Sequence, residues 1–124
     1  MAFLEIASRI VDGVMIVDLT GELSRRASSF AHPLKDLLTQ GRSNLVINLA
    51  GISYVDSSGL GQLITVWTSV GNRGGQLILL RPSGRVLEQL EMTKLDTVFT
   101  ILVDEAEAIR RIQKVVSARM FPAT

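Results

Sequence analysis

Two adjacent serines behind an aspartate, in the tetrad Asp56-Ser57-Ser58-Gly59, are the residues of this chain best placed for chemistry. A serine hydroxyl can receive a phosphoryl group, and this tetrad stands where such an anion is tolerated. Upstream, the apolar run Leu45-Val46-Ile47-Asn48-Leu49 predicts a central strand. Downstream, Leu60, Leu63, Ile64 and Trp67 fall at helical spacing, and Gly71 is placed to end the helix. Ser57 is therefore expected at a helix entrance, where backbone N–H groups lack internal partners and the dipole is positive. A phosphate fits there. Equally, Asp56 or Ser57 simply caps the helix, the ordinary use of these residue types. Gly59 and Gly61 each cost a helix about 1 kcal/mol relative to alanine. A bare surface is implied: either the sheet packs very close, or something outside approaches the backbone.

Other chemistry has little support. His32 is the only histidine and precedes a proline, so it reads as a structural or exposed residue. The local pattern Asp-Ser-Ser-Gly is unlike the Gly-x-Ser-x-Gly elbow of serine hydrolases. With no cysteine and no paired histidines, a metal site is not expected. Asp104, Glu105 and Glu107 read as a helix start. Gly71-Asn72-Arg73-Gly74-Gly75 closes a helix and opens a strand, the reverse of a phosphate-cradling loop, and is read as a turn. Trp67 shares a face with Leu60 and Ile64, which points to core packing first and to an interface second. No catalytic residue, metal or cofactor is assigned.

These residues need a frame. Leu4 to Val11 alternates as a half-wet strand, Asp12-Gly13 signals a two-residue hairpin, and Val14 to Leu19 returns as the second strand. Gly21 to Leu23 is expected to leave the sheet. A helix is expected from near His32 or Pro33 to Gly41, then the strand Leu45 to Leu49 and a helix from about Ser57 to Val70. Gln76 to Leu80 is a strand, Arg85 to Met92 a helix, and Phe99 to Val103 a last strand. A final helix runs from Asp104 to about Arg119, with Ala108, Ile109, Ile112 and Val116 toward the sheet. The fold class is α/β: one domain over 1–124, core about 4–116 and tail 117–124. Its mostly parallel sheet has about five strands, an antiparallel hairpin at the start and about four helices.

The 124 residues suffice for one self-sufficient core. A formal charge of +1, without a basic stripe, gives no reason to expect nucleic acid. No segment reads as a secretory signal or a membrane span, so a cytoplasmic protein is expected.

Taken in order, Gly21-Glu22-Leu23, Leu45 to Leu49, Ser53 to Gly61 and Gly74-Gly75-Gln76-Leu77 resemble the signature of the STAS domain. More narrowly they resemble bacterial anti-sigma factor antagonists. The resemblance runs over roughly residues 4 to 116, with Ser53 to Gly61 its specific part. It implies phosphorylation at Ser57, with Ser58 the neighbouring alternative, by an anti-sigma factor that is itself a serine kinase. The unmodified protein would bind that kinase, freeing a sigma factor, and a phosphatase would reset the switch. The implied partner surface comprises Asp56, Ser57, Ser58, Gly59, Gly61 and Ser24. Two departures stand out. Ser24 occupies a position where the family often has aspartate, and Thr93-Lys94-Leu95 replaces a common Ser/Thr-Gly-Leu. Lys94 gives up an easy left-handed residue, so that loop is expected to differ. Two other readings stay open: an unphosphorylated STAS adaptor in another signalling or lipid-transport assembly, and a nucleotide- or anion-binding domain.

Overall fold

A computed structural model describes residues 2–39 and 43–120. Strand β1 (Leu4–Val11) turns through Asp12 and Gly13 into β2 (Val14–Leu23). Both turn residues have positive φ, 51° and 80°, the twist that matches a tight hairpin. Then come α1 (Ala31–Thr39), β3 (Leu45–Val55), α2 (Ser57–Asn72), β4 (Leu77–Leu80), α3 (Gly84–Met92), β5 (Thr100–Leu102) and α4 (Glu105–Met120). The five strands lie in the order β1-β2-β3-β4-β5, the first pair antiparallel and the others parallel.

The helices divide between the two faces of the sheet. Leu34 and Leu38 of α1, Leu63, Val66 and Val70 of α2, and Val86 and Leu90 of α3 join Val17, Leu19, Ile47 and Leu79 in one core. On the other face α4 presses Ala108, Ile109 and Ile112, with Val116 at the edge, onto Val14, Ile16, Val46, Ile78 and Leu80. The strands between are apolar on both sides, as parallel strands covered twice must be. Arg9 of β1 ties the outer layer together. Its guanidinium donates to Asp18 at 2.7 Å and to Glu105 at 2.5 Å, and Asn48 also donates to Asp18 at 2.8 Å.

Several boundaries differ from expectation. β2 stays in the sheet through Leu23, because register shifts beside Gly21 absorb its irregular backbone and Glu22 N–H reaches the Phe3 carbonyl at 2.9 Å. β3 runs on to Val55, past the apolar run that marked its start. α2 continues through Gly71, and the turn comes at Arg73 and Gly74, where φ is +71°. A short 3-10 turn at Leu95–Thr97 had no sequence signal. Pro33 sits in the first turn of α1, where its missing N–H costs nothing. The expected stop at Gly41 and the last four residues of the expected tail lie outside the described residues.

Trp67 is a correction. The inward face of α2 is Gly59, Leu60, Leu63, Val66 and Val70, which rotates Ile64 and Trp67 outward, to 39% and 42% exposure. The indole makes a T-shaped contact with the Phe99 ring, with centroids 6.4 Å apart. Among the described residues no helix is long and apolar enough to cross a membrane.

Candidate functional site

Asp56 is the cap of α2, with φ −115° and ψ −175°, and Ser57 is the first helical residue. The Asp56 carboxylate accepts from Gly59 N–H at 2.9 Å and from Arg25 N–H at 3.1 Å. Its own N–H donates to the Leu23 carbonyl at 3.1 Å. One side chain thus closes the helix and pins the loop that follows β2. Partial burial pushes the carboxyl up, yet the N–H groups of Gly59, Arg25 and Ser58, with the Arg25 charge, hold it below the usual carboxylate range.

The cap is thereby assigned to one residue. Capping falls to Asp56, so Ser57 is released from it. Ser57 is exposed, and among the described residues its hydroxyl has no hydrogen-bond partner. Ser58 is half-buried. The anion seat expected at the helix entrance is already taken in part by Asp56, which accepts the Gly59 amide itself. A phosphate on Ser57 would stand outside that seat, close to a carboxylate.

The two glycines serve different ends. A Cβ on Gly59 would lie 2.0 Å from the Leu23 carbonyl oxygen, so this residue lets α2 press on β2. Around a Cβ on Gly61 there is nothing within 4 Å. Gly59 answers to the sheet, whereas Gly61 leaves bare helix open to the outside.

Ser24, expected on the same surface, lies beneath it at 1% exposure. Its hydroxyl donates to Glu22 at 3.2 Å, and Glu22 also accepts from Arg26 at 3.1 Å. Arg26 in turn covers the Tyr54 ring at 5.9 Å. The exposed groups of this loop are Arg25, Arg26, Ser28 and Ser29, of which the two arginines had no mark in the sequence. A polar cleft of about 300 Å³ opens beside Val55, lined also by Tyr54, Arg85, Glu88 and Gln89. Lys94 adopts the left-handed conformation, with φ 64°, at the expense of strain.

Candidate groups for other chemistry do not gather here. His32 is exposed on α1, 4.0 Å from Asp36. Among the described residues no cluster of three or more histidine or acidic side chains could hold a metal ion. The site is a surface, built from a capped helix start, a pinned loop and a free hydroxyl.

Comparison with known proteins identifies the family and the fold. The family model for the STAS domain matches residues 5–108. An anti-sigma F factor antagonist of Paenibacillus polymyxa is 29% identical over 105 residues, spanning 83% of this chain and 90% of that relative. The TM1081 homolog of Thermotoga neapolitana is 30% identical over 107 residues, 85% of this chain and 95% of its own. The crystal structure of TM1081 from Thermotoga maritima matches with a TM-score of 0.72 at 26% identity, covering 87% of this chain and 94% of that one.

Proposed function

The chain belongs to the STAS domain family, and on that footing we propose that it is an anti-sigma factor antagonist switched at Ser57. The unmodified protein docks an anti-sigma factor with serine-kinase activity and thereby releases a sigma factor. It acts in the cytoplasm as a binding module, without catalysis or cofactor of its own. The observation that carries this reading is the division of labour at the α2 entrance: Asp56 does the capping, leaving the Ser57 hydroxyl exposed and unengaged.

Phosphorylation supplies the release step. A phosphoserine carries about −1.5 to −2 charges at neutral pH. At Ser57 that charge would stand beside the Asp56 carboxylate, whose depressed pKa keeps it ionised. Asp56 already draws on the Arg25 charge, so docking would require an added dianion beside it to lose water, which is unfavourable without further cations from the partner. The free protein suffers little, because the group stands in solvent. A phosphatase resets the switch.

The test is to incubate the protein with candidate kinases and ATP and to locate phosphate by mass spectrometry. Label is expected on Ser57 and is lost in Ser57→Ala. Ser57→Asp is expected to bind the cognate kinase at least about tenfold more weakly, with an unchanged circular dichroism spectrum. Label on Ser28, Ser29 or Thr93 instead overturns the assignment.

A further inference from the structure

The loop after β2 is fastened to α2 at two points, and only one of them is the helix cap. Asp56 holds Arg25 N–H at 3.1 Å, and the side-chain carbonyl of Gln62 accepts Phe30 N–H at 3.0 Å. On the helix the two acceptors are about 9 Å apart, at 1.5 Å per residue. They bracket Ser57 and Gly61 on one side and Arg25, Arg26, Ser28 and Ser29 on the other, all exposed. The Phe30 side chain is fully buried, so the loop is also anchored from below. Two parallel segments, helix and loop, are thereby held alongside each other.

We propose that Gln62 is a positioning residue that holds the Arg25–Ser29 loop beside Ser57, making the docking surface for the anti-sigma partner two-stranded in outline, part helix and part loop. The inference rests on the function proposed above. Gln62 acts through Phe30, since its oxygen faces the loop backbone. Arg25 and Arg26 supply the cationic part of the surface, next to Asp56 and Ser57. Docking by the loop explains why a half-buried glutamine on α2 is used to fix an otherwise exposed segment.

The experiment compares Gln62→Met, which keeps length but loses the oxygen, with Gln62→Glu, which keeps the oxygen. Amide exchange at Phe30 is followed by NMR, and affinity for the cognate anti-sigma factor by calorimetry at a temperature where each variant is folded. In Gln62→Met the Phe30 amide is expected to exchange about tenfold faster and the partner to bind about tenfold more weakly, the loss of one partly buried hydrogen bond. Gln62→Glu restores both. Should Gln62→Met not fold, the double change Arg25→Ala with Ser28→Ala, which alters only exposed side chains, is expected to weaken binding similarly. A freed Phe30 amide with unchanged affinity, or a double change without effect, overturns the inference. Ser57→Asp runs in parallel: if it too leaves affinity intact, the proposed function fails, and if it alone weakens binding, only the role of Gln62 and its loop fails.

Discussion

Asp56 and Arg25, thirty-one positions apart in the chain, are joined by a hydrogen bond from the Arg25 N–H to the Asp56 carboxylate. The other oxygen of the same carboxylate takes the Gly59 N–H. Helix start and loop therefore share one acceptor, and the geometry around Ser57 depends on it.

Asp56→Ala should cost more than an ordinary cap. Loss of the cap is worth about 1 kcal/mol, and the abandoned Arg25 N–H adds about another. A drop of about 2 kcal/mol in urea unfolding is expected, together with faster amide exchange at Arg25. A drop below about 0.5 kcal/mol would show that water replaces both bonds without penalty.

The two glycines should respond in opposite directions. Gly59→Ala is expected to destabilise by about 2–3 kcal/mol, because the added methyl meets the backbone oxygen of Leu23, which cannot swing aside. Gly61→Ala should stabilise by about 0.5–1 kcal/mol, since it relieves a helix glycine in open space. If a partner approaches the bare helix at Gly61, the same change lowers its affinity while raising the melting temperature.

Lys94 sits at φ 64° between α3 and the following 3-10 turn. Lys94→Gly removes the strain of a side chain in that region and should stabilise by about 0.5–1 kcal/mol. Differential scanning calorimetry should show a rise of about 2–5 °C for a chain of this size. No rise would mean that the lysine stem packs well enough to offset its backbone.

Acid should unfold the protein through the Arg9 cluster. The Arg9 hydrogen bonds hold Asp18 and Glu105 below their usual ranges, against a smaller opposing effect of burial. A group whose folded pKa is depressed contributes stability above its unfolded value and loses it as pH falls through the folded one. The unfolded values are 3.8 and 4.5, so stability should be flat above about pH 5 and fall below about pH 4. Arg9 itself is pushed up and stays charged throughout. Arg9→Met should cost about 1 kcal/mol at neutral pH, allowing for the solvent screening of a partly exposed cluster, and move the acid transition to higher pH. An unmoved transition would place the acid-sensitive carboxylates elsewhere.

Much of the frame was readable because it is local. Asp12-Gly13 announces its turn through residue types that tolerate positive φ, and α4 shows its buried face by spacing alone. Elsewhere one residue type served two masters. Gly59 and Gly61 look alike in the sequence, and only the nearness of Leu23 separates them. The end of β2 was misplaced because Gly21, a usual exit signal, here sits in an irregular stretch of a strand that continues. Trp67 reads as inward because Leu60, at the margin of the buried face, shares a helical period with Ile64 and Trp67, which lie beyond that margin. The Gln62–Phe30 bond spans 32 positions and leaves no local trace. A pattern reader sees periods, and long-range hydrogen bonds have none.

The Arg9–Glu105 contact closes a span of 96 positions, and among the described residues α4 is the only helix on its side of the sheet. During synthesis the hairpin, the parallel strands and the first three helices all emerge beforehand. Until this sixteen-residue helix clears the ribosome, Val14, Ile16, Val46, Ile78 and Leu80 form an oily, uncovered flank. A nascent chain stalled at that moment is sticky on one side, and an early stop codon before α4 would yield a product prone to clumping and destined for proteolysis.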